Sequence, residues 1–256
     1  MSNFSSNMRI TKELVSNLNQ KLFHDFVELE NLQSSHNAAM QFTNMAQART
    51  TEQIIDFLKK ARPNYNISFK NEKQLTYKTT SPEHCWYITP ISGLNNLLHA
   101  IPYFCINIAL VKTNEKNEKE VVLSLIDNPI AKETFFAEKG TGAFVNNKRI
   151  RVSSRNKNVN TLMALTPSQK NKNIKLLKNI RVNNCTPLDL AYTAAGKYDA
   201  SIIFDNNDYD TLSGNLLIKE AGGCVTDFQN KRPSDKIKNL LFSNGLIHDS
   251  ILKDLN

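Results

Sequence analysis

Between residues 10 and 32, Leu14, Leu18, Leu22 and Phe26 recur every fourth residue with Phe23 beside them, which places them on one face of a helix. A second helix is predicted from an N-cap at Thr50 or Thr51, through Ile54, Ile55 and Leu58, to a break at Pro63. From Phe104 the period changes. The runs 104–112 and 121–127 are apolar and β-branched and flank the polar tip 113–119, the pattern of a hairpin. Runs 135–138 and 143–145 continue it, and Asn146-Asn147 before 148–152 signals a tight turn, so an extended antiparallel sheet is expected. The polar stretch 156–160 marks a boundary, beyond which strands and helices alternate. There Pro187, after Thr186, opens a helix that Gly196 closes. Residues 200–204 form a short buried strand, and Asp210 stands at the start of a helical run, 211–221, that Gly222-Gly223 ends. The expected organisation is an N-terminal half, 1–155, of helices and antiparallel sheet, and a C-terminal α/β half, 156–256, in one compact unit.

Composition narrows the class. At 256 residues with 40% hydrophobic and 22% charged positions, the chain can bury a large core and is neither a disordered polyelectrolyte nor a membrane protein. The longest apolar run, 97–111, is interrupted by His99, Pro102 and Asn107 and is too short to span a bilayer. Residues 1–12 lack the apolar core of a secretory signal, so a cytoplasmic location is expected. Cys85, Cys105, Cys185 and Cys224 have no C-x-x-C spacing, which points to reduced thiols and away from structural zinc. The net charge of +8 favours polyanionic partners only if it gathers on one face. A bias toward Lys, Asn and Ile, as in 114–119 and 170–173, is the favoured account of it, which makes the charge a weak clue to partners. No Ser/His/Asp or Cys/His arrangement stands out. His84 and His99 lack ligand spacing, and Cys85, near a strand start, reads as a packed thiol.

The segment W-Y-I-T-P-I-S-G-L-N-N, Trp86 to Asn96, reads as a strand breaking into a tight turn whose amides point outward. Such a turn suits a phosphate or a metal, yet Thr89 and Ser92 stand where a metal site would need carboxylates. Downstream come A-E-K-G-T-G-A-F-V-N from Ala137, D-L-A-Y-T-A-A-G from Asp189, and Y-D-T-L-S-G-N-L-L-I-K-E-A-G-G from Tyr209. With these motifs in this order the chain resembles, over nearly its whole length, the inositol monophosphatase family of Mg-dependent, lithium-sensitive phosphatases. The family's version of the turn is W-x-I-D-P-[IL]-D-G-T-x-N. The resemblance implies an α/β (α+β) fold, a layered α-β-α-β-α sandwich, usually as a homodimer.

It also implies a site. Members hold two or three Mg²⁺ ions through a Glu, the two Asp of the turn, the carbonyl between them and a later Asp, while an upstream Asp and a turn Thr orient water. An ungapped count from Pro63 puts Lys70 and Asn71 at the Glu positions; an insertion would bring Glu72 there instead. Thr89 and Ser92 replace the turn carboxylates, the Ile91 carbonyl is kept, and Asp210 is the remaining carboxylate. Gln47 and Leu94 replace the water-orienting Asp and Thr, Asn37 stands where a Lys is frequent, and Ile203 replaces a substrate-side Glu. Gly93, Leu94 and Asn95 retain backbone donors for an anion. Asp210 is either a metal ligand or a helix N-cap, and Lys70 either a surrogate cation paired with Asp210 or a solvated surface lysine. Asp205, Asp208 and Asp210 are a relocated metal cluster or ordinary helix-start carboxylates.

The expectation is a catalytically inactive member, with no cofactor unless residual activity calls for Mg. A transcription- or RNA-associated protein partner follows from the resemblance to a bacterial branch linked with RNA polymerase and ribosomal RNA antitermination. The alternative is a residual Mg-dependent phosphatase acting on inositol monophosphate or related phosphomonoesters.

Overall fold

The computed structural model describes residues 4–70, 77–79, 83–156, 161–166, 179–233 and 238–255. Helix α1 (Ser6–Asn31) starts at Ser5, whose Oγ accepts from the Met8 amide at 3.2 Å while its hydroxyl donates to Glu138. Leu14, Leu18, Leu22, Phe26 and Leu29 make its buried face. Helix α2 (His36–Ala61) begins well before the expected N-cap. Thr50 and Thr51 lie inside it, donating to the carbonyls of Ala46 and Gln47 four residues back. The first half of α2 escapes a hydrophobicity reading because its buried stripe is made of small residues, Ala39, Thr43 and Ala46.

Seven strands in sequential order form the first sheet: β1 (Asn66–Phe69), β2 (His84–Ser92), β3 (Cys105–Thr113), β4 (Lys119–Asn128), β5 (Glu133–Glu138), β6 (Gly142–Val145) and β7 (Lys148–Ile150). All pair antiparallel except β1, which runs parallel to β2. Between β2 and β3 sits the short helix α3 (Leu94–Leu98).

The second sheet has the order β11-β12-β10-β8-β9, from β8 (Met163–Leu165), β9 (Ile180–Arg181), β10 (Ala200–Ile203), β11 (Cys224–Asp227) and β12 (Leu240–Ser243). Helices α4 (Thr186–Ala194) and α5 (Asp208–Glu220) lie between the sheets, and α6 (His248–Leu255) covers the outer face of the second.

Three apolar clusters define the layers. Helices α1 and α2 pack on one face of the first sheet through Leu22, Ile54, Trp86 and Ile108. Its other face meets α4, α5 and the inner face of the second sheet through Ile126, Phe135, Leu190, Leu217 and Phe242. The outer face of the second sheet closes on α6 through Ile202, Leu241 and Ile251. This is the expected α-β-α-β-α sandwich, and its middle layer brings the starts of α4 and α5 up to the end of β2.

Candidate functional site

A cavity of about 410 Å³ opens where β2 ends. Its walls are Gln47 of α2, Lys70 just past β1, the turn from Thr89 to Asn95, Leu165 and Thr166 at the end of β8, and the starts of α4 and α5. Gln47, Lys70, Thr89, Ile91, Ser92, Gly93, Leu94, Asn95 and Asp210 therefore share one cavity. Ile203 does not line it: it is 3% exposed, faces the α4/α5 core and pairs with Leu240. Asn37 lies exposed in the first turn of α2, outside the lining. Glu72 lies outside the described residues.

The turn owes its shape to two residues. The β2–β3 register shifts between Thr89 and Ser92, at Pro90, which has no amide proton for the ladder. Gly93 has φ +86°, and a Cβ there would stand 3.0 Å from the Tyr103 carbonyl oxygen and 3.2 Å from the Phe104 Cα. The chain thereby reverses against 103–105 and enters α3.

Lys70 is carried by β1. Its amide donates to the Ile88 carbonyl at 3.0 Å, continuing the parallel pairing by one residue and setting Lys70 beside Thr89. Its Nζ forms an ion pair with the Asp210 carboxylate, side chains 27% and 13% exposed. Asp210 sits in the first turn of α5. The N-cap is Asn207, whose side chain accepts from the Tyr209 amide at 3.0 Å, so the expected capping role for Asp210 is corrected. A phenol fixes this helix start, since the Tyr209 and Ser68 hydroxyls are 2.5 Å apart, and Asn107 donates to the Tyr209 carbonyl at 2.5 Å. Thr89 Oγ1 and Asp210 Oδ1 are buried without a protein partner.

Asp189, which the motif match covered without a role, also lines the cavity. Its Oδ1 accepts from Tyr103 Oη and from Asn183 Nδ2, both at 2.7 Å. Burial pushes its carboxyl up to about 7 against those two bonds. Burial likewise pushes Cys85 up to about 11, the behaviour of a packed thiol. Asn184, Cys185, Thr186 and Thr166 were likewise not singled out as wall residues, because they reach the cavity through chain crossings that no local pattern encodes.

This donor set does not fit Mg²⁺, which needs an octahedron of hard oxygens supported by carboxylates. No group of three His, Cys, Asp or Glu able to hold a metal occurs among the described residues, and this includes Asp205, Asp208 and Asp210. Asp210 is engaged by an ammonium, and the turn offers hydroxyls at Thr89 and Ser92. No helix among the described residues is long and apolar enough to cross a membrane.

Comparison with known proteins places these features in context. The sequence model of the Inositol monophosphatase family matches residues 6–256. The chain is 36% identical over 210 residues to the Thermotoga maritima fructose-1,6-bisphosphatase/inositol-1-monophosphatase, covering 79% of this chain and 78% of the relative. It is 30% identical over 221 residues to the Pseudomonas aeruginosa Nus factor SuhB, covering 81% and 80%. The crystal structure of the extragenic suppressor protein SuhB from Bartonella henselae superposes with a TM-score of 0.85 at 28% identity, covering 98% of this chain and 99% of that one.

Proposed function

The chain belongs to the inositol monophosphatase family, and from that premise we propose that it is a binding protein that has lost the family's metal chemistry. The observation that carries this reading is the Lys70–Asp210 ion pair in the cavity formed by the turn. A divalent cation about 4 Å from an ammonium is repelled by roughly 8 kcal/mol at an effective dielectric constant of 20. That repulsion acts at the carboxylate an ion would need, Asp210, with which Lys70 already pairs; the other cavity carboxylate, Asp189, is held by Tyr103 and Asn183, and the Ile91 carbonyl and the hydroxyls of Thr89 and Ser92 carry no charge. Gln47 and Leu94 offer no base or hydroxyl to orient a water. The amides of Gly93, Leu94 and Asn95 remain as donors for a weakly held anion. Similarity to the Pseudomonas Nus factor supports a transcription- or RNA-associated partner, with which a net charge of +8 is compatible; the family resemblance points to a homodimer as the binding form, in the cytoplasm.

The 36% identity to the Thermotoga enzyme supports a second reading, a residual Mg-dependent phosphatase acting on inositol monophosphate or a related phosphomonoester. Phosphate release from a panel of phosphomonoesters, with and without Mg²⁺, separates the two. The binding-protein reading predicts release at the blank rate in both conditions. Mg-dependent turnover well above blank replaces it with the second.

A further inference from the structure

Cys105 and Cys185 are 80 positions apart in sequence, yet their Sγ atoms lie 3.5 Å from each other. Cys105 opens β3 as the cross-strand partner of Ser92, and Cys185 is the N-terminal flanking residue of α4. Cys185 Sγ is also 3.5 Å from the Ser92 carbonyl oxygen. Three chain segments are held together here. Asn96 Nδ2 donates to the carbonyls of Tyr103 at 2.6 Å and Asn183 at 2.7 Å, and Gly93 is backed directly against Phe104. Of the two cysteines, only Cys185 lines the cavity.

We propose that Cys105 and Cys185 form a reversible redox site, a dithiol that closes to a disulfide and latches the cavity wall formed by Ser92 and by Asn184 to Thr186. The reactant is a low-molecular-weight disulfide small enough to enter the cavity. The Cys185 thiolate attacks one of its sulfurs, forming a mixed disulfide and releasing one small thiol. The Cys105 thiol, fully buried and held protonated by that burial, then attacks Cys185 Sγ as its proton passes to the departing sulfur, which leaves as the second small thiol. Two protein thiols are oxidised, one small disulfide is reduced to two thiols, and the two protons leave with them. Closure brings the sulfurs from 3.5 Å to about 2 Å. The segments that carry them are those that shape the turn, so the latch stiffens one wall of the pocket. The inference rests on that wall and not on whether the pocket turns over a phosphate, so either can fail without the other.

The test uses full-length protein carrying Cys85→Ser and Cys224→Ser, both outside the cavity, treated natively with bis(2-hydroxyethyl) disulfide. The expected result is loss of two hydrogens by intact mass, no alkylation after denaturation, a peptide linking residues 105 and 185, and reversal by dithiothreitol. Amide exchange at 92–95 and 184–186 should slow on oxidation. In the same background, Cys105→Ser should stop at a stable mixed disulfide on Cys185. Two thiols still alkylatable after treatment, a persistent mixed disulfide with Cys105 present, or unchanged exchange at the wall overturns the proposal.

Discussion

Lys70 and Asp210 form an ion pair in the cavity wall, and its balance of charge decides what either side chain costs to lose. Asp210 is 13% exposed at its side chain and one of its oxygens already lacks a partner, so its charge depends on the ammonium for compensation. Lys70→Met should lower stability by about 1–3 kcal/mol, the lower range for removing one partner of a pair that still touches solvent. The double variant Lys70→Met/Asp210→Leu should lie closer to wild type than Lys70→Met does, because no uncompensated charge remains. Urea unfolding of the set checks this, and additive losses would count against the pairing.

Asp127 makes a second residue-level case. Burial pushes its carboxyl up to about 6, with the Thr134 hydroxyl donating at 2.5 Å and opposing the shift. A raised carboxyl holds its proton in the folded state to a higher pH than in the unfolded chain, so its contribution is complete below about pH 4 and is lost as pH rises through 6. Asp189, pushed up to about 7, acts in the same direction and extends the loss to about pH 7. Each shift corresponds to something on the order of 3–4 kcal/mol of pH-dependent stability. Asp127→Asn should roughly halve the decline between about pH 4 and 6, leaving the share of Asp189, measured as unfolding free energy against pH. An unchanged slope in the variant would remove Asp127 as its source.

At the scale of elements, α4 and α5 approach closely because Gly214 has no side chain. A Cβ there would stand 2.3 Å from Leu190 Cδ1 and 2.5 Å from Leu190 Cβ. Gly214→Ala should cost about 1–3 kcal/mol through overpacking, despite alanine's better helix propensity, and a thermal melt at or above the wild-type midpoint would contradict this account of the contact. The same scale shows what could be read from sequence. Hairpins such as β3–β4, and α1 with its large apolar side chains, were legible because each carries its period locally. The start of α2 was not, since Ala39, Thr43 and Ala46 bury a face without large side chains. The Asn207 cap was missed because Asp210, three residues on, has equal capping chemistry, and only the partner strand's Lys70 decides between them. The turn residues Thr89, Ser92 and Leu94 were legible by motif, whereas Thr166, Cys185 and the inward orientation of Ile203 depend on how the second sheet packs on the first.

For the molecule as a whole, the five layers set the ends of two sheets and two helices around one cavity, and replacing side chains there leaves the scaffold intact. That separation of fold from chemistry is why membership of a phosphatase family does not decide activity. The central claim is that the Lys70–Asp210 pair has replaced metal, and calorimetric titration of Mg²⁺ into the purified wild-type protein tests it most directly. Lys70→Glu/Thr89→Asp/Ser92→Asp, which introduces three carboxylates into the cavity wall, serves as the contrast. The account predicts no saturable heat for wild type up to millimolar Mg²⁺ and saturable binding for the triple variant; saturable Mg²⁺ binding by the wild-type protein would contradict it.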